Sequence, residues 1–177
     1  RHCYRQITRP RTSGPGRAND VQMAGLRTGA NQVLKTIGLM GGSFNPAHGG
    51  HRAISLFAIN ALSLDEFWWI VSPGNPLKPK KDMAPLAARL ASAKAQARRS
   101  PIKATAIERE LDTVYTVETL RKIVARYPKT KFIWIMGADN LLQFHHWKRW
   151  REIARMMPIA VIARPGYDAN AIAGPAM

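Results

Sequence analysis

From Thr36 onward, short apolar runs alternate with longer stretches that keep a helical stripe. Ile37-Gly38-Leu39-Met40 is an apolar run stopped by Gly41-Gly42, which predicts a buried strand running into a tight turn. Between Gly50 and Leu62, residues Ala53, Ile54, Phe57, Ala58 and Ala61 fall on one helical face. Phe67-Trp68-Trp69-Ile70-Val71 reads as a strand, with Pro73 just past its end. A Pro/Lys-rich loop follows over 72–84. Pro85 then suits a helix start, and Leu86, Leu90, Ala93 and Ala97 hold a stripe through Arg99. Residues 102–107 predict a strand of short side chains. Val117, Leu120, Val124 and Tyr127 mark a helix closed by Pro128. Phe132-Ile133-Trp134-Ile135-Met136 predicts another buried strand, ending at Gly137. Residues 140–157 read as one or two helical pieces, and Ile159 to Ala163 as a last strand before Pro165.

Strict alternation of strand and helix, with strands apolar throughout, predicts an α/β fold whose parallel sheet is covered on both faces. In such sheets the ligand lies outside the carboxyl ends of the strands, where the strand order reverses. Four segments qualify: 41–51, 72–78, 137–140 and 163–167. Residues 1–35 keep no period. They hold Pro10, Gly14, Pro15, Gly16, Gly25 and Gly29 among scattered arginines, and predict a flexible basic extension. A domain over 36–177 follows it.

Composition narrows the classes. The 177 residues include 46% hydrophobic positions, enough for a core. A single cysteine, Cys3, excludes a disulfide within the chain and a Cys-only zinc site, and suits a reducing, cytoplasmic address. No apolar run reaches the roughly 18–20 residues that span a bilayer, and no apolar segment follows the basic start, so neither a membrane span nor a secretory signal is expected. The net charge is +16, and within the first 36 residues seven cations face only Asp20. Such charge predicts an anionic partner without saying which. The basic residues form no aromatic-interleaved stripe, which speaks against a nucleic-acid-binding module, the main alternative.

The richest segment is Gly41-Gly42-Ser43-Phe44-Asn45-Pro46-Ala47-His48-Gly49-Gly50-His51, which follows a strand and opens a helix. The glycine pair lets backbone approach a bulky anion. The helix start offers N–H groups and a positive dipole end, and the two imidazoles add ring donors. Together they predict a phosphate cradle without a covalent nucleophile. No GxxxxGK[ST] and no strand-linked GxGxxG occurs. The pair His48 and His51 lacks a third ligand nearby in sequence, so a protein-held metal is not expected.

This segment resembles the signature of the nucleotidyltransferase superfamily, with His48, Gly50 and His51 in its HxGH stretch. The longer form resembles the bacterial nicotinate-nucleotide adenylyltransferases. Further blocks agree in order: Val71-Ser72-Pro73-Gly74-Asn75-Pro76-Leu77-Lys78, Glu108-Arg109-Glu110, Tyr115-Thr116-Val117-Glu118-Thr119-Leu120, Ile135-Met136-Gly137-Ala138-Asp139-Asn140, Trp147, and Arg164-Pro165-Gly166-Tyr167. The resemblance covers about residues 36–167. It implies a Rossmann-like nucleotidyltransferase fold and transfer of the adenylyl group of ATP to nicotinate mononucleotide, with Mg²⁺, in NAD biosynthesis. His48 and His51 would hold the ATP phosphates, His51 foremost in stabilising the transition state. Gly42, Ser43 and Phe44 would line the shared cleft through backbone, and Gly50 would contribute at the helix start. Lys78 would reach a phosphate, Gly137 and Asp139 would hold the adenosine ribose, and Arg164 would meet adenine or phosphate. Asp139 could equally be a helix N-cap. Tyr115, Thr116 and Trp147 would form the nicotinate side, with Trp147 stacked on the pyridine ring and Ser43 and Phe44 shared between substrates. Trp68 and Trp69 are expected in sheet packing, and His145 and His146 at the surface without a role. Transfer to another small phosphate substrate is the alternative inside the superfamily. The family's late Ser-Ser/Ala-Thr-x-Ile-Arg block has no counterpart before Met177, so a C-terminally truncated version is expected.

Overall fold

The apolar runs at 37–40, 67–71 and 132–136 form the three central strands of a parallel sheet. The computed structural model describes residues 34–74 and 83–162. Along them run β1 (Lys35–Gly42), α1 (Gly49–Leu62), β2 (Glu66–Val71), α2 (Leu86–Ala97), β3 (Ile102–Thr105), α3 (Ile107–Glu110), α4 (Thr116–Arg126), β4 (Thr130–Gly137), α5 (Ala138–Phe144), α6 (Trp150–Met156) and β5 (Ile159–Ile162). The strand order is β3-β2-β1-β4-β5, and every pairing is parallel. The chain steps outward from β1 to β3, then returns to build on the other side of β1. The order therefore reverses between β1 and β4.

The period of two along each strand divides the core into two layers. Ile37, Leu39, Ile70, Phe132, Trp134 and Met136 face one side, where α4, α5 and α6 bring Leu120, Ile123, Phe144 and Ile153. Phe67, Trp69, Val71 and Ile135 face the other, beneath Ala58 of α1 and Ala93 and Ala97 of α2. Leu39, Phe67 and Trp69 are fully buried. Each such side chain stabilises the fold by about 1.5–3 kcal/mol. Both tryptophans expected in sheet packing are there: Trp69 in the core, and Trp68 half-buried edge-on to Tyr127 and Phe132.

Several expectations change. β1 opens at Lys35, one residue before the expected boundary. It continues through Gly41 and Gly42, which pair with Ile70 and Val71. These glycines serve close packing rather than a turn. A Cβ on Gly41 would meet the Trp134 ring at 2.9 Å, and one on Gly42 the Phe44 ring at 3.3 Å. The third strand stops at Thr105, because Ile107 drops into the core at the head of the short helix α3. The buried face of α1 is also rotated from the expected one: Ser55 and Ala58 point inward, while Phe57 is 63% exposed. Ser55 takes that place because its hydroxyl accepts the Trp69 indole N–H at 2.8 Å and donates to the His51 carbonyl at 2.8 Å. At the amino ends of the strands, Glu66 accepts from Lys35, Lys103 and the Trp68 indole. Burial would raise its carboxyl, but those hydrogen bonds outweigh burial and hold it at about 2.

Candidate active site

The turn after β1 places a histidine pair at the first turn of α1. Phe44 adopts φ 46°, left-handed for a non-glycine residue, and its ring is buried. That ring packs 4.9 Å from the His51 ring and 5.2 Å from Trp69. It thus sits under His51 as a prop, rather than on the surface of a cleft. His48 is the N-cap of α1: its Nδ1 accepts the Gly50 N–H at 3.1 Å. In return His51 Nδ1 accepts the His48 N–H at 3.3 Å. This is a capping box built from two imidazoles. A neutral imidazole that accepts at Nδ1 carries its proton on Nε2, so both rings present a donor on the nitrogen remote from the cap. The rings lie 3.9 Å apart.

The expectation of unpaired N–H groups at this helix start is corrected by the same contacts. Gly50 N–H is held by the His48 ring, and the His51 and Arg52 N–H groups bond the His48 carbonyl at 3.0 and 3.4 Å. An anion arriving here meets imidazole donors before backbone ones.

Beneath the strand ends lies a cation absent from the expected site. Arg89 of α2 is 2% exposed. Its Nε donates to the Ala84 carbonyl at 2.8 Å, Nη1 to the Ser43 and Ser72 carbonyls at 2.6 and 2.7 Å, and Nη2 to the Pro73 carbonyl at 3.3 Å. One guanidinium thereby ties the loops after β1 and β2 to the start of α2. No carboxylate among the described residues forms an ion pair with it. Burial lowers its pKa from the ordinary arginine value. The charge persists and lends the strand ends a positive potential.

A cavity of about 390 Å³ opens at the carboxyl ends of β1 and β4. This is where the strand order reverses. Gly41, Gly42 and Ser43 form its floor, Ser72 and Gly74 one edge, and Asp139 and Asn140 of α5 another. Tyr115, Thr116, Trp134, Trp147 and Lys148 supply an aromatic and cationic wall. Lys148 Nζ lies 3.8 Å from the Tyr115 ring centroid and 2.8 Å from Glu118 Oε1. Trp147 stands edge-on to Trp134 and Phe144, at 6.1 and 5.5 Å. Glu108 completes the wall, although it is only 7% exposed. Burial pushes its carboxyl up to about 7, against smaller opposing effects of the Ser72 and Thr119 hydroxyls.

The sequence-derived site thus comes together in part. Gly42, Ser43, Asp139, Tyr115, Thr116 and Trp147 line the cavity. Gly137 adjoins it as the N-cap of α5, so Asp139 is not the cap but a first-turn residue. His48, Gly50 and His51 form the capped start of α1. Lys78 and Arg164 lie outside the described residues, as does the segment 163–167. His146, expected to be idle at the surface, lines the cavity, and His145 is half-buried rather than exposed. Arg89 and Ser55 were missed although each interrupts an apolar stripe with a polar residue. Glu108 was read only as part of a block. Among the described residues no group of three or more His, Cys, Asp and Glu gathers as a metal cage, and no helix is long and apolar enough to cross a membrane.

Residues 39–175 match the cytidylyltransferase-like family model. The chain is 68% identical over 140 residues to a protein of Erythrobacter litoralis named "Probable nicotinate-nucleotide adenylyltransferase", covering 79% of this chain and 64% of that relative. It is 54% identical to one of the same name from Gluconobacter oxydans, over 79% of this chain and 72% of the relative. Its fold is similar to that of the nicotinic acid mononucleotide adenylyltransferase of Plasmodium falciparum solved with NaAD. There the TM-score is 0.68 at 18% identity, over 80% of this chain and 72% of the other.

Proposed function

The chain belongs to the cytidylyltransferase-like family and, within it, to the nicotinate-nucleotide adenylyltransferases; from that premise we propose that it transfers the adenylyl group of ATP to nicotinate mononucleotide. The products are nicotinate adenine dinucleotide and pyrophosphate. The observation that carries this reading is a cavity floored by Gly42 and Ser43 and walled by Tyr115 and Trp147, with the same chain segment running on from Ser43 into the His48–His51 capping box at the start of α1.

An oxygen of the mononucleotide phosphate attacks the α-phosphorus of ATP. The bond from that phosphorus to its bridging oxygen breaks, and pyrophosphate leaves with the electron pair. No protein nucleophile is needed, so the residues align two anions and offset their charge. The Nε2–H donors of His48 and His51 meet the phosphates, and His51 follows the charge that develops on the transferring group. Its position is held by Phe44 beneath its ring and by Ser55 on its carbonyl. The buried Arg89 lowers the cost of bringing two phosphorylated reactants to the strand ends. Gly137 and Asp139 take the adenosine ribose, and Tyr115, Thr116 and Trp147 take the pyridine ring. Lys78 and Arg164 are assigned to phosphate and adenine by family resemblance alone.

A divalent cation, Mg²⁺, supplies charge neutralisation on the triphosphate. Among the described residues the donors near the cleft are imidazoles and one exposed carboxylate, with no cluster of three His, Cys, Asp or Glu, which fits an ion that would come bound to ATP rather than held in a protein cage. Residues 36–177 are proposed as the transferase domain, residues 1–35 as a basic extension, and the cytoplasm as the compartment. Pyrophosphate release with ATP and nicotinate mononucleotide tests the activity, with nicotinamide mononucleotide and pantetheine phosphate as competitors. Turnover highest with nicotinate mononucleotide is expected. Preference for pantetheine phosphate would overturn the substrate assignment.

A further inference from the structure

Glu108 is a buried acid of the cavity wall that the transfer chemistry above does not use. It opens the short helix α3 behind Ser72 and is nine-tenths buried, yet it lines the cavity. Its Oε2 is buried without a hydrogen-bond partner. The Ser72 and Thr119 hydroxyls lie close enough to act on the carboxyl, while Ser72 also donates to the Gly74 carbonyl at 2.7 Å and Thr113 and Thr119 share a hydrogen bond of 2.8 Å; Oε2 is still left without a partner. Among the described residues the Trp134 indole N–H and His145 Nδ1 are also buried without a partner; of the three, Oε2 belongs to an acid at the cavity wall, where a hydrogen bond to a ligand would recover a cost of about 1–3 kcal/mol.

The charged groups around it are also engaged. On α4, Glu118 pairs with Lys148, Arg121 with Glu152, and Lys122 Nζ donates to the Leu111 carbonyl. On β3, Lys103 pairs with Glu66, and the Arg89 guanidinium is spent on the loop carbonyls of Ser43, Ser72, Pro73 and Ala84. Arg109 and Glu110 on its own helix are exposed. Within the cavity the other titratable groups are Tyr115, Asp139, His146 and Lys148. Burial rather than a charged partner dominates its titration, and the hydroxyls of Ser72 and Thr119 act against it.

Resting on the adenylyl-transfer reading, we infer that Glu108 is a substrate-recognition residue that acts as a neutral acid, donating from Oε2 to an anionic acceptor oxygen of the mononucleotide. An ionised carboxylate at the same place would face a phosphorylated, carboxylated ligand across a dry wall and repel it. Neutral Glu108 therefore couples mononucleotide affinity to pH.

The test is calorimetric titration of the full chain with nicotinate mononucleotide from pH 6 to 8.5, for wild type and Glu108→Gln. The amide keeps a donor and cannot ionise. Ionisation of the ligand phosphate acts on both proteins and cancels in the comparison. The wild-type Kd should rise across that range by about 30-fold more than the variant's, as a group titrating near pH 7 dictates. Equal pH dependence in both proteins overturns the role of Glu108 while leaving adenylyl transfer standing. No mononucleotide binding by wild type at any pH removes both. If Glu108→Gln does not fold, the carboxyl carbon of Glu108 is titrated by NMR in wild type. Saturating mononucleotide should move its midpoint upward by a unit or more, and an unmoved midpoint overturns the inference.

Discussion

Two buried charge-bearing groups stand on opposite sides of the strand ends, and they are treated differently. Arg89 spends its guanidinium on four backbone carbonyls, from both loops and the head of α2. Glu108 is nearly as buried but keeps one oxygen without a partner, at the wall of the cavity. A saturated buried cation holds a scaffold and has little capacity left for a ligand. An unsaturated buried acid weakens the empty protein and gains when something fills the site. Burial alone does not separate structural from recognising groups; the difference here is that Arg89 has its hydrogen-bonding capacity filled and Glu108, at the cavity wall, does not.

The comparison breaks most visibly at Arg89. Arg89→Met leaves the carbonyls of Ser43, Ser72, Pro73 and Ala84 without their donor, so the stability loss should reach about 3–5 kcal/mol. Urea unfolding followed by tryptophan fluorescence measures it. A loss under about 1 kcal/mol would show that water replaces the guanidinium and that the loops hold themselves.

His51→Ala should lie next in size, and mainly in turnover. Losing one donor to the developing charge costs about 2.7–4 kcal/mol of barrier, or about 10²–10³-fold in kcat. Stability should fall by only about 1 kcal/mol, from the lost half of the capping box. Near-normal kcat with the expected small stability loss would reduce His51 to a cap.

How much of this was legible beforehand depends on the kind of signal. Continuous apolar runs such as 132–136 and 67–71 announced the strands, and period two divided their side chains between two layers. The segment from Gly41 to His51 declared its chemistry because glycines and histidines cluster there at a strand-to-helix junction. Tertiary compensation left no such mark. Arg89 lies on the stripe with Leu86, Ala93 and Ala97, where a polar residue reads as an interruption until its four acceptors are seen. Ser55 hides in the same way, since only the Trp69 indole explains an inward hydroxyl. The imidazole capping box was equally invisible: two histidines three apart suggest ligands, and their mutual backbone contacts appear only in three dimensions.

Glu108 sharpens the comparison through pH. Its carboxyl lies at about 7 in the fold against an ordinary 4.5, so the native state favours the neutral form. That contribution is fully present below about 4.5 and is lost as pH rises through about 7. Glutamine feels no such loss. The stability of Glu108→Gln relative to wild type should therefore rise by about 2–3 kcal/mol between pH 4 and pH 8. Denaturant midpoints at the two pH values check it. A difference independent of pH would mean that water reaches the carboxylate and that the wall is not dry. Glu66 offers an internal contrast with the opposite sign, because its carboxyl is held at about 2 and its contribution disappears only as pH falls toward that value.

The smallest effect belongs to Trp147, which stands on both sides of the distinction. Its ring packs edge-on against Trp134 and Phe144, as a structural residue would, and also lines the cavity beside Lys148. If it stacks on the pyridine ring, that contact contributes about 0.5–1.5 kcal/mol beyond area burial. Trp147→Ala should then raise KM for the mononucleotide by about 2–12-fold and leave KM for ATP nearly unchanged. Packing loss alone would lower the unfolding midpoint and disturb both substrates together, because the Trp134 ring it supports touches the floor at Gly41. Trp147→Phe separates the two effects: it keeps an aromatic face for the pyridine while removing much of the contact with Phe144. A selective rise in mononucleotide KM in the alanine variant, largely restored by phenylalanine at lower stability, places Trp147 with Glu108 as a recognising residue. Equal effects on both substrates in both variants would place it with Arg89, as part of the scaffold.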